Sequence, residues 1–146
     1  MANFNNAYKR TSVNEGGYAD VKGDNGGETY KGIARNFHKT WEGWKIIDAY
    51  KKKNGPIKYG LIIKDSNLDE LVKKFYKSKF WNVLDADSIE SQSIADTLYD
   101  FGVNSGQSRS IKQIQKALGV SETGKVTDNL LQLINNPLNK LLENEK

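Results

Sequence analysis

Glu15-Gly16-Gly17-Tyr18 sets one carboxylate where an amphipathic segment gives way to glycine-rich turn chemistry, a position suited to an acid catalyst. Phe4, Ala7, Tyr8 and Thr11 recur at helical spacing, which predicts a first helix over residues 4–14 with Glu15 at or near its C-terminal end. Gly16 and Gly17 then permit the left-handed backbone that such an ending uses. A carboxylate at that pole meets the negative end of the helix dipole, and an apolar wall of Tyr18 and neighbouring aromatics adds desolvation; both hold the proton tightly. Asp20 and Asp24 follow and are the candidates for a second carboxylate. Asp24-Asn25-Gly26-Gly27 has equally the composition of a plain turn.

The elements that must position these residues read as mostly helical, broken near residues 18–32 by an irregular or hairpin-like segment rich in glycine, aspartate and asparagine. Helix resumes near Ile33. Trp41, Trp44, Ile47 and Lys51 form one helical row, Ile46 and Tyr50 another, and Asn54-Gly55-Pro56 stops them. Asn67 with Glu70 has the form of a capping pair, and Leu68, Leu71, Val72, Phe75 and Tyr76 give the buried stripe of a helix running towards Phe80, with Trp81 just past its end. Ile94, Leu98 and Phe101 mark the next helix. Ile111, Ile114 and Leu118 mark another, ended by Gly119. Leu130, Leu131 and Ile134 form a last firm helix before Pro137, and Leu138, Leu141 and Leu142 suggest a short tail helix. The fold class is therefore mainly α.

At 146 residues the chain fits one compact domain. It contains no cysteine, so it offers no disulfide, thiolate metal site or cysteine nucleophile. Residues 1–15 carry no apolar run of signal-peptide length, and the apolar cluster from Tyr59 to Ile63 is too short to span a bilayer. The expectation is cytoplasmic synthesis without an export signal or transmembrane segment. A formal charge of +4 favours an anionic partner. Nucleic acid is not expected, because no zinc-finger, helix-turn-helix or aromatic-plus-basic motif is legible, and Lys51-Lys52-Lys53 reads as a solvated helix end. His38 has neither a serine or cysteine motif nor clustered acidic partners around it and reads as a surface or hydrogen-bonded helix histidine, so no triad, metal site or cofactor is expected.

Four ordered blocks carry a resemblance: Glu15-Gly16-Gly17-Tyr18; Gly26-Gly27-Glu28-Thr29 with Gly32-Ile33; Phe75-Tyr76-Lys77-Ser78-Lys79-Phe80-Trp81; and Tyr99-Asp100-Phe101-Gly102-Val103-Asn104-Ser105-Gly106. Over nearly the whole chain these resemble the glycoside hydrolase family 108 lysozymes, N-acetylmuramidases of bacteria and their phages. The resemblance implies a lysozyme-like fold, Glu15 as general acid, and cleavage of the β-1,4 bond between N-acetylmuramic acid and N-acetylglucosamine. In many phage lysozymes an aspartate follows the glutamate by nine positions and a threonine stands six further on. Asp24 lies nine after Glu15 and is favoured for that reason; Thr29 falls five after Asp24, one short of that pattern.

Tyr18 and Tyr30, on the segments flanking this site, are the aromatic candidates for the sugar cleft. Tyr76, Trp81, Asp100 and Asn104 follow from the third and fourth blocks, although Trp81 reads equally as a packed indole and Asn104 as part of a helix-ending turn. Gln115, polar on a buried row, reads as a cleft contact or an edge. The segment from Ile111 to Val120, with Thr123 to Thr127, resembles a peptidoglycan-binding region. This gives a catalytic part over 1–92 and a helical binding region over 93–146, packed into one body. The implied partner is the glycan strand of peptidoglycan, met by a monomer after holin-type release. A lytic transglycosylase using the same glutamate and a non-catalytic wall-binding protein are the alternative readings.

Overall fold

The first amphipathic stretch forms α1, Phe4–Ser12, in a computed structural model that describes residues 1–12 and 16–136. Two compact units divide the chain: Arg10–Phe75, and Met1–Lys9 together with the chain from Tyr76 onward. Among the described residues no helix is long and apolar enough to cross a membrane.

In the unit Arg10–Phe75, the glycine-rich segment folds into a three-stranded antiparallel sheet of β1 (Tyr18–Ala19), β2 (Thr29–Tyr30) and β3 (Ile33–Ala34). The helix expected to resume at Ile33 is thus a strand. Lys31 and Gly32 explain this: both have positive φ, 47° and 82°, and two such residues make a tight hairpin turn that returns Ile33 to pair with Tyr30. Register then sorts the side chains. Tyr18, Tyr30 and Ile33 are paired and buried, whereas Ala19, Thr29 and Ala34 pair on the opposite, half-exposed face.

Helix α2 (Gly43–Asn54) follows, and starts with a glycine because the Trp41 ring fills the space a Cβ would need. Trp41 and Trp44 meet edge to face at 5.2 Å. The helix ends as expected at Gly55, whose φ is 82° and whose N–H donates to Lys51 O at 2.7 Å. Helix α3 (Ser66–Tyr76) is capped two residues earlier than expected from Asn67 and Glu70. The Asp65 carboxylate accepts the Leu68 N–H at 2.9 Å, because the first turn already begins at Ser66. His38 lies in the turns between β3 and α2, not in a helix, with its ring edge-on to Phe75 at 4.8 Å.

The second unit opens on a π-helical turn, Lys77–Trp81, where a continued α-helix would leave Trp81 beyond its end. The wider turn changes the direction of the side chains that follow. Trp81 is fully buried, edge-on to Phe4 at 5.6 Å and to Tyr99 at 5.9 Å, and its Nε1 donates to Asp87 Oδ1 at 2.8 Å. Two 3₁₀ turns, Asn82–Leu84 and Ala86–Ser88, lead to α4 (Gln92–Ser105), α5 (Gln107–Ala117) and α6 (Asp128–Asn135).

The buried side of α4 is Ala95, Leu98, Tyr99 and Gly102, while Phe101, expected inside, is exposed. Close packing of α5 accounts for the rotation: Ser110 Oγ donates to Leu98 O at 2.6 Å, and a Cβ on Gly102 would lie 3.8 Å from Ser110 Cβ. Gln115 is neither cleft contact nor edge. It is buried, donates to Thr123 Oγ1 at 2.9 Å and accepts from Gly124 N–H at 3.0 Å, which fixes the turn after α5. Thr127 caps α6, which buries Leu130, Leu131, Leu133 and Ile134. Pro137 and the tail helix expected from Leu138, Leu141 and Leu142 lie outside the described residues.

Trp81→Ala should cost about 3–5 kcal/mol, the range for deleting a buried aromatic side chain. Urea unfolding measures it, and an unchanged midpoint would remove Trp81 from the core.

Candidate functional site

Glu15 lies outside the described residues, but the backbone that follows it is held firmly. Gly17 O accepts the Lys31 N–H at 3.1 Å, Tyr18 N–H donates to Leu61 O at 2.9 Å, and Tyr18 O accepts the Gly60 N–H at 2.7 Å. The residue-17 and residue-18 backbone is therefore bonded to β2's turn on one side and to the 60–61 segment on the other. Gly17 is required for space and not for left-handed backbone: a Cβ there would lie 2.7 Å from Gly60 O and overlap Leu61 O.

Behind the sheet, Glu28 is the centre of a charged cluster. Its carboxylate, 10% exposed, accepts from the Tyr18 hydroxyl and Arg35 Nη1, each at 2.6 Å, and from Lys51 Nζ at 2.5 Å. Arg35 also makes a two-pronged pair with Asp48, with both bonds 2.7 Å, and stacks over Trp44 at 5.2 Å. Burial acts to raise the Glu28 pKa, but the hydrogen bonds from Lys51, Tyr18 and Arg35 outweigh it and hold the carboxyl below its ordinary 4.5. Burial, then the bond to Glu28, pushes the Tyr18 phenol far above the usual phenol range. Neither group can release a proton to a substrate near neutral pH. Lys51 is correspondingly not part of a solvated lysine face, because it is turned onto Glu28, while Lys52 and Lys53 stay exposed.

The opposite face of the sheet, with Ala19, Thr29 and Ala34, is half-buried. Thr29 stands in its middle, between Ala19 and Ala34. Asp24 is exposed on the preceding turn, where Oδ1 accepts the Gly26 N–H at 3.0 Å and its carbonyl accepts the Gly27 N–H at 3.1 Å. The turn reading of Asp24 is thus realised, with the carboxylate at the surface. Asp20 is exposed one residue past β1. A Cβ on Gly26 would lie 3.6 Å from Asp24 Oδ1 and 3.0 Å from Ala34 Cβ, so Asp24 adjoins the face that carries Thr29.

The other expected residues are placed elsewhere. Tyr18 and Tyr30 are buried on the inner face; Tyr30 Oη accepts the Ile63 N–H at 3.1 Å, so neither ring is presented to a sugar. In the second unit, Tyr76 packs between Tyr8 at 6.2 Å and Phe80 at 5.6 Å, and Trp81 is the buried indole described above. Asp100 is half-buried on α4, and its carbonyl accepts from Asn104 Nδ2 at 2.8 Å, so the exposed Asn104 closes its own helical turn. The meeting of Glu28, Arg35, Asp48 and Lys51 in one cluster escaped the sequence reading. The one local signal was Asp48 and Lys51 at i, i+3 on α2, facing the same side.

A mainly helical chain with a small three-stranded antiparallel sheet has a lysozyme-like fold. The glycosyl hydrolase 108 profile matches residues 8–106, which include all four sequence blocks, and the chain belongs to that family. Its fold is similar to the structure of SagA from Brucella abortus, with a TM-score of 0.61 and 26% identity over 96% of this chain and 75% of SagA. No curated protein matches it. The protein is accordingly a glycoside hydrolase, of the general lysozyme-like kind that acts on peptidoglycan.

Glu28→Gln should lower stability by about 1–3 kcal/mol, less than for a fully buried pair because Lys51 and Arg35 are each about a third exposed. Because the folded-state pKa is depressed, this contribution is complete above the ordinary value of 4.5 and disappears as pH falls through the folded value. Denaturant titrations of both chains at a series of pH values should therefore converge on acidification; a constant gap would contradict the assignment.

Proposed function

We propose that the chain is an N-acetylmuramidase that hydrolyses the β-1,4 bond between N-acetylmuramic acid and N-acetylglucosamine. Glu15 donates its proton to the departing glycosidic oxygen. Asp24 stabilises the oxocarbenium-like centre or activates water, and the Thr29 hydroxyl orients that water. The chain works as a monomer on glycan strands of the wall, which it reaches after holin-type release. The observation that carries this reading is the separation of two carboxylate environments. Glu28 is committed to three donors inside the unit, whereas Asp24 lies at the surface beside the sheet face that bears Thr29. Glu15 is given the proton-donor role by the resemblance of its Glu-Gly-Gly-Tyr block to the family, while Glu28 is held by its three donors. The family match across the Glu15 block and the rigid backbone at residues 17–18 support the same assignment.

Digestion of purified peptidoglycan, followed by mass spectrometry, tests it. The native chain should release fragments with free reducing N-acetylmuramic acid ends, and Glu15→Gln should slow release by about 10²- to 10⁴-fold, the usual contribution of a positioned acid. Fragments ending in 1,6-anhydro rings would make the enzyme a transglycosylase. Sedimentation with the wall but without fragments would make it a binder, and equal rates in both chains would remove Glu15 from the mechanism.

A further inference from the structure

Phe37 leaves 69% of its surface in water, although a phenyl ring gains free energy from burial. It is not on a loose loop. Arg35 N–H donates to Glu28 O at 2.9 Å, Asn36 N–H to Gly26 O at 3.0 Å, Asn36 Nδ2 to Asn25 O at 3.0 Å, and Phe37 N–H to Ala34 O at 3.2 Å. The segment bearing the ring is therefore stitched to the Asp24 turn and to the end of β3, and its side chain is presented from a fixed backbone.

Gly26 locates the ring. A Cβ at that position would lie 3.6 Å from Phe37 Cε2, 3.6 Å from Asp24 Oδ1 and 3.0 Å from Ala34 Cβ, so one missing side chain is the meeting point of all three. Ala34 in turn pairs with Thr29. An exposed aromatic ring thus adjoins a small-residue floor, with a carboxylate and a hydroxyl at its margin. Such a combination matches a pyranose. The axial C–H bonds of the sugar form an apolar, weakly positive face that complements the negative face of a π-system, while its hydroxyl and acetamido groups need polar partners at the edge. Arg35, two residues before the ring, is engaged with Glu28 and Asp48 behind the sheet.

We propose that Phe37 is a stacking platform for one sugar ring of the glycan strand, forming a subsite beside Asp24 and Thr29. The assignment rests on the glycan-cleaving reading of the same face. Its contribution is to binding and register, so it acts on KM and leaves the proton-transfer step alone.

A tetrasaccharide of two N-acetylglucosaminyl-N-acetylmuramyl units, titrated calorimetrically into chains carrying Glu15→Gln, separates the two claims. Phe37→Ala and Phe37→Leu should each weaken binding by about five- to tenfold, and Phe37→Trp should bind within about twofold of the parent, since stacking needs a ring and not bulk alone. With Glu15 intact, Phe37→Ala should raise KM by a similar factor with kcat within about twofold. Thermal melting should show the variants folded, as the ring is exposed. Undiminished tetrasaccharide affinity in the alanine chain, or full rescue by leucine, would overturn the platform. Binding that depends on Phe37 in a chain that never cleaves the glycan would uphold the platform and overturn the muramidase reading; a parent that neither binds nor cleaves would overturn both.

Discussion

The Glu28 carboxylate is the constraint on which the unit Arg10–Phe75 depends. A carboxylate 10% exposed is costly unless its charge is matched, and here three donors match it: Tyr18 from β1, Arg35 just after β3, and Lys51 from α2. Strands of two residues have too little ladder to hold themselves together. The charged cluster adds the missing cross-links, tying the sheet to α2 through side chains whose separations in sequence run from 7 to 23 residues. Removing any one donor leaves the Glu28 carboxylate short of a hydrogen bond. That is the reason the cluster acts as a unit.

From this arrangement follows a division between the two faces of one small sheet. The inner face, with Tyr18, Tyr30 and Ile33, is taken up by packing and by Glu28; the outer face, with Ala19, Thr29 and Ala34, carries small, half-buried side chains. A one-residue slip in register would exchange these roles. The two-residue turn at Lys31 and Gly32 fixes the register, at the cost of left-handed backbone at a lysine. Thr29 is half-buried on the outer face and Tyr30 fully buried on the inner one, because a single position in a strand reverses a side chain's direction.

Aromatic residues mislead a sequence reader for a related reason. Tyr18, Tyr76 and Trp81 lie in the blocks that match the family, yet all are buried. Phe37, outside every block, is the exposed ring beside the outer face. A motif records which residues are constrained and not whether packing or ligand imposes the constraint, and a large aromatic in a small domain usually satisfies the core first.

Local chemistry was legible because it is decided over a few neighbouring residues. The stops at Gly55 and Gly119, the helices of Trp44 and Ile47, of Ile111, and of Leu130 to Ile134, and the irregular glycine-rich segment all follow from spacing and backbone freedom that the sequence alone displays. The four blocks likewise identified the family. The three-dimensional structure alone decided that Ile33 enters a strand, that Asp65 caps α3, that α4 turns its small residues inward, and that Glu28, Arg35, Asp48 and Lys51 meet. The inward turn of α4 and the charged cluster depend on residues 7 to 23 positions apart, whose burial and charge pairing leave no periodicity for a sequence to show, whereas the strand at Ile33 and the Asp65 cap are settled by backbone angles within three residues that helical spacing does not display.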